Sequence, residues 1–470
     1  MMSITRRDFL RQISAIGATG MLNGNALPAA TARPRKKNVL LVIDEDIQNE
    51  ILGIYNGGIT HTPNIDRFAG RSIRFDNAYC SMPECGPSRA AIFTGMRPQA
   101  SGIYDNPASL DRDRPDLTLI PDVFRRAGYL TVATGKLMHP PENTSKEHWD
   151  ITLRARANMG LNLKEAVQFG KAKYMLSWSP DCEDGDLADG ARADAVVKFL
   201  ETYDNEKPFF LGLGFAKPHD PYFAPKKYFD MYPVDELKLP ARNEPKDATA
   251  PFHKTRYNMS QKNQKIYLRS RYAGMSYVDA QFGKVVRAIK RKGYLDNTII
   301  IFMGDHGYHH GEHGHWGKWT VFEKALKSPF MIYDPDLHKD KAGVAKGAVE
   351  FIDLFPTLCE LCDLPKPKTM MGKSLVPLLK DPDRKWDYPA FGAWRKGEAR
   401  AVRLHQWKYM EFKKGKLGQG LFNLEKDPGE FYNLVDKPEH AQLVTKMQKL
   451  ISDVYYQSPI PPLSTRKKSK

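Results

Sequence analysis

Four apolar, β-branched runs, each stopping at a cluster of polar and charged residues, constrain the fold of this 470-residue chain more than any other feature. Val39-Leu40-Leu41-Val42-Ile43 stops at Asp44-Glu45-Asp46. Leu130-Thr131-Val132-Ala133-Thr134 leads into Gly135-Lys136 and His139, and Phe209-Phe210-Leu211-Gly212-Leu213 leads on to Lys217-Pro218-His219. Thr298-Ile299-Ile300-Ile301-Phe302-Met303 ends in Gly304-Asp305-His306-Gly307. Continuous apolar runs of this kind mark strands buried on both faces. Helical spacing lies between them, over 187–203 and 277–292, and strands alternating with helices indicate an α/β protein with a mostly parallel sheet. In such sheets ligands bind outside the carboxyl ends of the strands. Four strand ends bearing acids, lysines and histidines are therefore expected to converge on one site.

After about residue 380 the pattern changes. Short aromatic and β-branched runs over 386–408 and 409–424 are separated by basic, Gly-containing turns, and an amphipathic helix follows over 440–455. This predicts a small antiparallel sheet with one helix on it, so that 38–380 form the main α/β domain and 381–470 a C-terminal subdomain. At the other end, Thr5-Arg6-Arg7-Asp8-Phe9-Leu10 has the twin-arginine pattern. An apolar stretch over 13–22 and Ala30-Thr31-Ala32 complete an export signal over residues 1–32. That stretch is too short and Gly-rich for a membrane span, and no other apolar run approaches the ~20 residues a span needs. A formal charge of +16 favours polyanionic partners; nucleic acid is not the expected one. The mature protein is expected in the bacterial periplasm, or secreted. Cys359 and Cys362 sit at helical spacing and are expected to face the core, while Cys80 and Cys182 can pair or stay free.

Cys85-Gly86-Pro87-Ser88-Arg89, followed by Ala90-Ala91-Ile92-Phe93-Thr94-Gly95, reads as a short helix, because Pro suits a first helical turn and Gly95 an end. A thiol at a helix N-terminus feels the positive end of the dipole, and Arg89 adds a full charge. Such a residue is reactive and lies beside an anion site; a buried structural cysteine is the bland alternative. The three carboxylates at 44–46 suit a hard divalent cation, and Asp305 with His306 adds an oxygen and an imidazole.

Cys85-x-Pro87-Ser88-Arg89 with Thr94-Gly95 resembles the signature of the type I sulfatase family. The likeness continues in family order through His61-Thr62-Pro63-Asn64-Ile65-Asp66-Arg67-Phe68-Ala69, Gly135-Lys136-x-x-His139 and Lys217-Pro218-His219-x-Pro221. It ends in Asp305-His306-Gly307 through Gly311-Glu312-His313-Gly314-x-Trp316-Gly317-Lys318. The last three blocks are most similar to the iduronate-2-sulfatase-like branch, which includes bacterial enzymes acting on algal polysaccharides. Gly420-Leu421-Phe422-Asn423-Leu424 ahead of Asp427-Pro428-Gly429-Glu430 resembles the family's C-terminal motif.

The resemblance implies an alkaline-phosphatase-like sandwich that hydrolyses sulfate esters of a sulfated poly- or oligosaccharide. It implies that a maturation enzyme oxidises Cys85 to Cα-formylglycine (3-oxoalanine), whose hydrated aldehyde is the nucleophile. It also implies one divalent cation, calcium, held by Glu45, Asp46, residue 85, Asp305 and His306. The family has two Asp after the first strand. Counting from Asn38 places the pair at Glu45 and Asp46, with Glu in the first position and an extra acid, Asp44, ahead of it. Whether Glu45 or Asp44 reaches the cation is open. The implied roles are sulfate binding for Lys136, Lys318 and Arg89, orientation of the diol for His139, and protonation of the leaving alcohol for His219. Two other readings are kept: a phosphomonoester or phosphonate hydrolase of the same superfamily, and a non-catalytic sulfated-glycan-binding protein. Specificity is expected from rim loops over 153–175, 222–254 and 308–310; in or beside them Arg154, Arg156, His253, Arg256, His309 and His310 are either substrate contacts for uronate or neighbouring sulfate groups or merely exposed.

Overall fold

All seven residues of the first strand, β1 (Asn38–Asp44), are buried, and their side chains alternate between two cores. Val39, Leu41 and Ile43 pack into one hydrophobic cluster and Leu40 and Val42 into the other. Burying each such side chain stabilises the fold by about 1.5–3 kcal/mol, and truncating one, as in Leu41→Ala, costs about 2–5 kcal/mol. In this computed structural model residues 36–456 are described, except 56–57, 140–146, 161, 163, 170–174, 205, 241–258 and 339–340. Residues 1–32, expected to be an export signal, and His253 and Arg256 lie outside the described residues.

The other strands of the main sheet are β2 (Ile73–Tyr79), β3 (Leu130–Gly135), β4 (Ile151–Thr152), β5 (Phe209–Gly214), β6 (Thr298–Gly304), β7 (Phe330–Tyr333) and β8 (Gly343–Glu350). They form one eight-stranded sheet in the order β8-β2-β7-β6-β1-β5-β3-β4. The four strands expected from the sequence are thus neighbours at its centre. Every pairing is parallel except those of β7, which runs antiparallel to β2 and β6. The expectation of a mostly parallel sheet is met. Helices on its faces include α1 (Pro63–Ala69), α2 (Cys85–Thr94), α3 (Ala188–Thr202) and α4 (Gln261–Arg291). The spacing at 277–292 captured only the second half of α4, whose Ser260 cap accepts from the Asn263 amide. Among the described residues no helix is long and apolar enough to cross a membrane.

A second sheet follows, four-stranded and antiparallel: β9 (Ala390–Trp394), β10 (Ala399–Leu404), β11 (Trp407–Phe412) and β12 (Gln419–Asn423). Helix α5 (Ala441–Tyr455) seats Met447 and Ile451 against Val402, Tyr409 and Leu421 of this sheet. All five cysteines are free; Cys359 and Cys362 face the core.

Candidate active site

Register brings the four central strand ends level. Asp44 of β1 pairs with Gly304 of β6, Ile43 with Gly214 of β5, and Gly214 with Gly135 of β3. The residues that follow, Glu45, Asp305 and Lys136, therefore emerge together at one sheet edge. Glycine is required where β3 turns: Gly135 has φ +74, and a Cβ there would lie 2.0 Å from the Gly214 carbonyl.

Helix α2 supplies the fourth component. Cys85 is its first residue, extended Glu84 precedes it, and left-handed Gly95 ends it. The helix is buried throughout, so its positive N-terminus is directed into the pocket with little screening. Cys85 Sγ donates to Glu45 Oε1 at 3.0 Å, accepts from Lys318 Nζ at 2.9 Å, and lies 3.4 Å from His306 Nε2. Lys318 Nζ also reaches Asp46 Oδ1 at 2.7 Å, and Lys136 Nζ donates to Glu45. Arg89, wholly buried, donates from Nε to Asp305 Oδ2 at 3.0 Å and from Nη1 to the Lys136 carbonyl. It braces the floor of the pocket from below.

Asp46 adopts a left-handed backbone, φ 63, which costs a non-glycine residue about 1–3 kcal/mol. Its N–H donates to Asp305 Oδ1 at 3.1 Å, and its carbonyl accepts from Arg271. The two histidines are oriented by their outer nitrogens. His306 Nδ1 lies 2.9 Å from the Gly307 carbonyl, which turns Nε2 to face Asp46 and Asp305. His219 Nδ1 lies 2.8 Å from the Asp220 carbonyl, leaving Nε2 3.6 Å from Glu45 Oε1. Asp189 carboxylate oxygens accept from the Ala216 and Lys217 amides and fix the turn that carries His219.

The electrostatics follow from this crowding. Burial works against ionisation of Glu45, but His219 and Lys136 hold its pKa well below the usual carboxylate range. Lys318 and His219 likewise outweigh burial at Asp46, and Lys318 outweighs burial at the Cys85 thiol, so both pKa values fall. His219 is raised well above an ordinary imidazole, because Glu45 and Asp46 overcome its desolvation. His139 goes the other way, down to about 4, through burial and the nearby Lys136. Asp44, by contrast, is pushed well up by burial.

The pocket thus gathers Cys85, Arg89, Lys136, His139, His219, Lys318, Glu45, Asp46, Asp305 and His306. Ligand atoms of Glu45, Asp46, Cys85 and His219 all lie within 4.8 Å of one another, as do those of Cys85, Asp305 and His306. Glu45, not Asp44, is in this group. Three carboxylates with the His219 and His306 imidazoles at the margin make an oxygen-dominated set that suits a hard divalent cation. The thiol sulfur here occupies the place that diol oxygens would take after oxidation of residue 85. Two expectations need correction. His309 and His310 are not rim residues: both are buried, their pKa values driven well down by desolvation, with ring nitrogens engaged by Thr320, Arg271 and Gln48. The neighbouring loop turns inward, where it packs against α4. Arg154 and Arg156 are exposed. Arg271 was missed from sequence, although it sits on the apolar stripe of α4 with Tyr267, Met275, Val278 and Phe282. A lone arginine at that spacing was the available signal.

Known families and proteins match most of this chain. Residues 37–364 match the sulfatase family model, and residues 311–457 match the family described as N-sulphoglucosamine sulphohydrolase, C-terminal. A sulfatase of Formosa agariphila is 30% identical over 452 residues, 88% of this chain and 86% of that protein. Iduronate 2-sulfatase of Mus musculus is 29% identical over 70% of this chain and 69% of its own length. The phosphonate monoester hydrolase of Agrobacterium radiobacter shares the fold at a TM-score of 0.74, with 21% identity over 90% of this chain and 96% of that one. Fold and sequence together define a sulfuric ester hydrolase built on the alkaline-phosphatase-like sheet. The chain belongs to the sulfatase family.

Proposed function

We propose that the protein hydrolyses sulfate esters of a sulfated carbohydrate, with residue 85 acting as formylglycine beside one divalent cation, calcium. The observation that carries this reading is the convergence of Cys85 with three carboxylates, two lysines and two histidines at one sheet edge. Sugar specificity draws support from two similarities already described, to N-sulphoglucosamine sulphohydrolase in the C-terminal half and to iduronate 2-sulfatase. The residues that would hold the cation are Glu45, Asp46, Asp305, His306 and the modified residue 85. Once formed and bound, the hydrated aldehyde supplies a nucleophile and the cation supplies positive charge against the sulfate oxygens.

The chain's own groups do the rest. Lys136 and Lys318 place two ammonium groups in a water-poor pocket, where they stabilise charge on the sulfate oxygens as the S–O bond breaks. His219, held protonated by Glu45 and Asp46, turns Nε2 into the pocket and donates its proton to the leaving alcohol. His139, kept neutral by burial, can accept a proton from the diol. Arg89 fixes Asp305 and the Lys136 turn. Export through the residue 1–32 signal and a formylglycine-generating maturation enzyme belong to the same proposal.

The test is twofold. Mass spectrometry of the peptide containing residue 85, from protein produced with a maturation enzyme, should show loss of the thiol mass. The same protein should release sulfate from at least one of carrageenan, ulvan, fucoidan or glycosaminoglycan oligosaccharides. Full activity with residue 85 entirely as cysteine would sink the mechanism. Two zinc ions per chain with preference for a phosphonate ester would favour the phosphonate hydrolase reading, and tight glycan retention without sulfate release the binding-protein reading.

A further inference from the structure

Arg271 is the largest charged side chain near the pocket with no role in the reaction just described. It lies in the middle of α4, fully buried. All three of its nitrogens are used. Nη2 donates to the Asp46 carbonyl, Nη1 to the Pro218 carbonyl at 3.1 Å, and Nε to His310 Nε2 at 2.7 Å. The guanidinium also lies over the Tyr308 ring, 3.9 Å from its centroid. One planar group thus ties together the turn bearing Asp46, the peptide before His219, and the loop leading to Lys318.

A second layer fixes the guanidinium in turn. Because His310 Nε2 accepts from Arg271, its ring proton lies on Nδ1, which donates to Gln48 Oε1 at 2.8 Å. Gln48 Nε2 then donates to Glu312 Oε1 at 2.6 Å, and Glu312 Oε2 accepts the His310 amide at 2.6 Å. Gln48 is two residues beyond Asp46, so the chain of bonds returns to the segment it started from. This closed loop of oriented donors and acceptors surrounds a residue whose backbone is left-handed and would otherwise relax.

We infer that Arg271, backed by His310 and Gln48, is a positioning residue that holds Asp46 in the geometry required to bind the cation and keeps the Pro218–His219 segment in place beside it. The inference rests on the cation site proposed above. Arg271 touches neither reacting atoms nor, through its own side chain, the cation. It acts through Asp46, whose carbonyl it holds while Asp305 holds the N–H, and its Nη1 lies 3.9 Å from Asp46 Oδ2. Groups that orient metal ligands from outside are typically worth about 10–100-fold in metal affinity or activity. Lysine cannot replace the fork: one ammonium cannot serve three acceptors lying in different directions in one plane.

The test follows melting temperature against added calcium chloride for the full mature chain, alongside turnover of an aryl sulfate at saturating calcium. Arg271→Met and His310→Leu should each raise the calcium concentration for half-maximal stabilisation by about 10–100-fold. His310→Gln, whose amide can accept from Arg271 and donate to Gln48, should recover most of that loss. Should Arg271→Met fail to fold, the His310→Leu and His310→Gln pair carries the comparison unaided. The inference is overturned if the variants lower the melting temperature without calcium yet leave the calcium midpoint within about twofold of wild type. It is also overturned if glutamine at 310 behaves as leucine does. A wild-type chain that calcium does not stabilise removes the proposed cation site itself, and is told apart by that single control.

Discussion

Among the described residues the pocket can be compared with a second cluster of buried charge, and of these two only the pocket is built as a site. The second joins the two sheets: Lys408 of β11 meets Glu430 at 2.7 Å and Glu323 at 3.3 Å, all three nearly inaccessible. Tyr79 of β2 donates to Glu323 Oε1 at 2.5 Å, and the Glu323 amide donates to Glu430 Oε2 at 2.7 Å. Each carboxylate oxygen there faces a group of the chain, so the charges are spent on one another. In the pocket at the sheet edge Glu45, Asp46, Asp305 and Cys85 instead converge from three segments on one small volume, against the repulsion of like charges. Burial and charge density are common to both clusters. What separates them is whether the ligand atoms point at different partners or at the same place. The Asp427-Pro428-Gly429-Glu430 motif accordingly belongs to the joint between the sheets, not to the chemistry.

The sharpest way to break this contrast is Cys85→Ala. Loss of a nucleophile should lower turnover by on the order of 10⁴-fold or more, while melting temperature stays near that of wild type. A large loss of stability would place Cys85 with the structural cluster instead. His219→Ala comes next. An acid matters most when the alcohol leaves reluctantly, so turnover of a sugar sulfate should fall by about 10²–10⁴-fold. An activated aryl sulfate, whose phenolate leaves unaided, should be spared. Equal slowing of both substrates would reassign His219 to positioning.

Lys408→Met should show the converse. Removing one partner of a buried ion pair leaves unpaired charge, here two carboxylates, and costs about 3–5 kcal/mol of stability. Per folded molecule, turnover should not change, as urea unfolding together with active-site-normalised kinetics would show. A fall in turnover with little loss of stability would mean that the joint transmits to the pocket.

How much of this was legible follows the same division. The central strands β1, β3, β5 and β6 announce themselves because burial on both faces leaves no charged interruption before their last residue, and their ends carry the pocket residues in order. The three strands to one side of them, β2, β7 and β8, did not: Arg74, Asp76 and Asn77 interrupt β2, and β7 has only four residues. A half-exposed or short strand does not produce the unbroken apolar run that identifies a central one. Glu45 could be separated from Asp44 only in three dimensions, since adjacent residues leave a strand end in different directions. His309 and His310 misled because a histidine pair in a polar loop reads as surface; the loop folds under α4, and Arg271, the partner of His310, is 39 residues away. Side chains that act through another residue leave little trace in spacing.

The gentlest probe lies outside both clusters, at a more exposed group. His148 is half-buried between Asp122, 2.7 Å from Nδ1, and Asp111, 3.2 Å from Nε2. Burial disfavours its charge, but the two carboxylates prevail and raise its pKa to about 9. A group whose pKa is raised on folding contributes stability that is fully present below the unfolded value, about 6.5, and is lost as pH climbs through the folded one. The stabilising pair should therefore be intact at pH 6 and largely gone by pH 10. Partial exposure screens it, so the change should be a few degrees in melting temperature at most. The measurement is the difference between wild type and His148→Gln across that range, which should be greatest at pH 6 and close toward pH 10. A gap that stays constant with pH would mean that His148 contributes by packing alone and carries no proton between its two carboxylates.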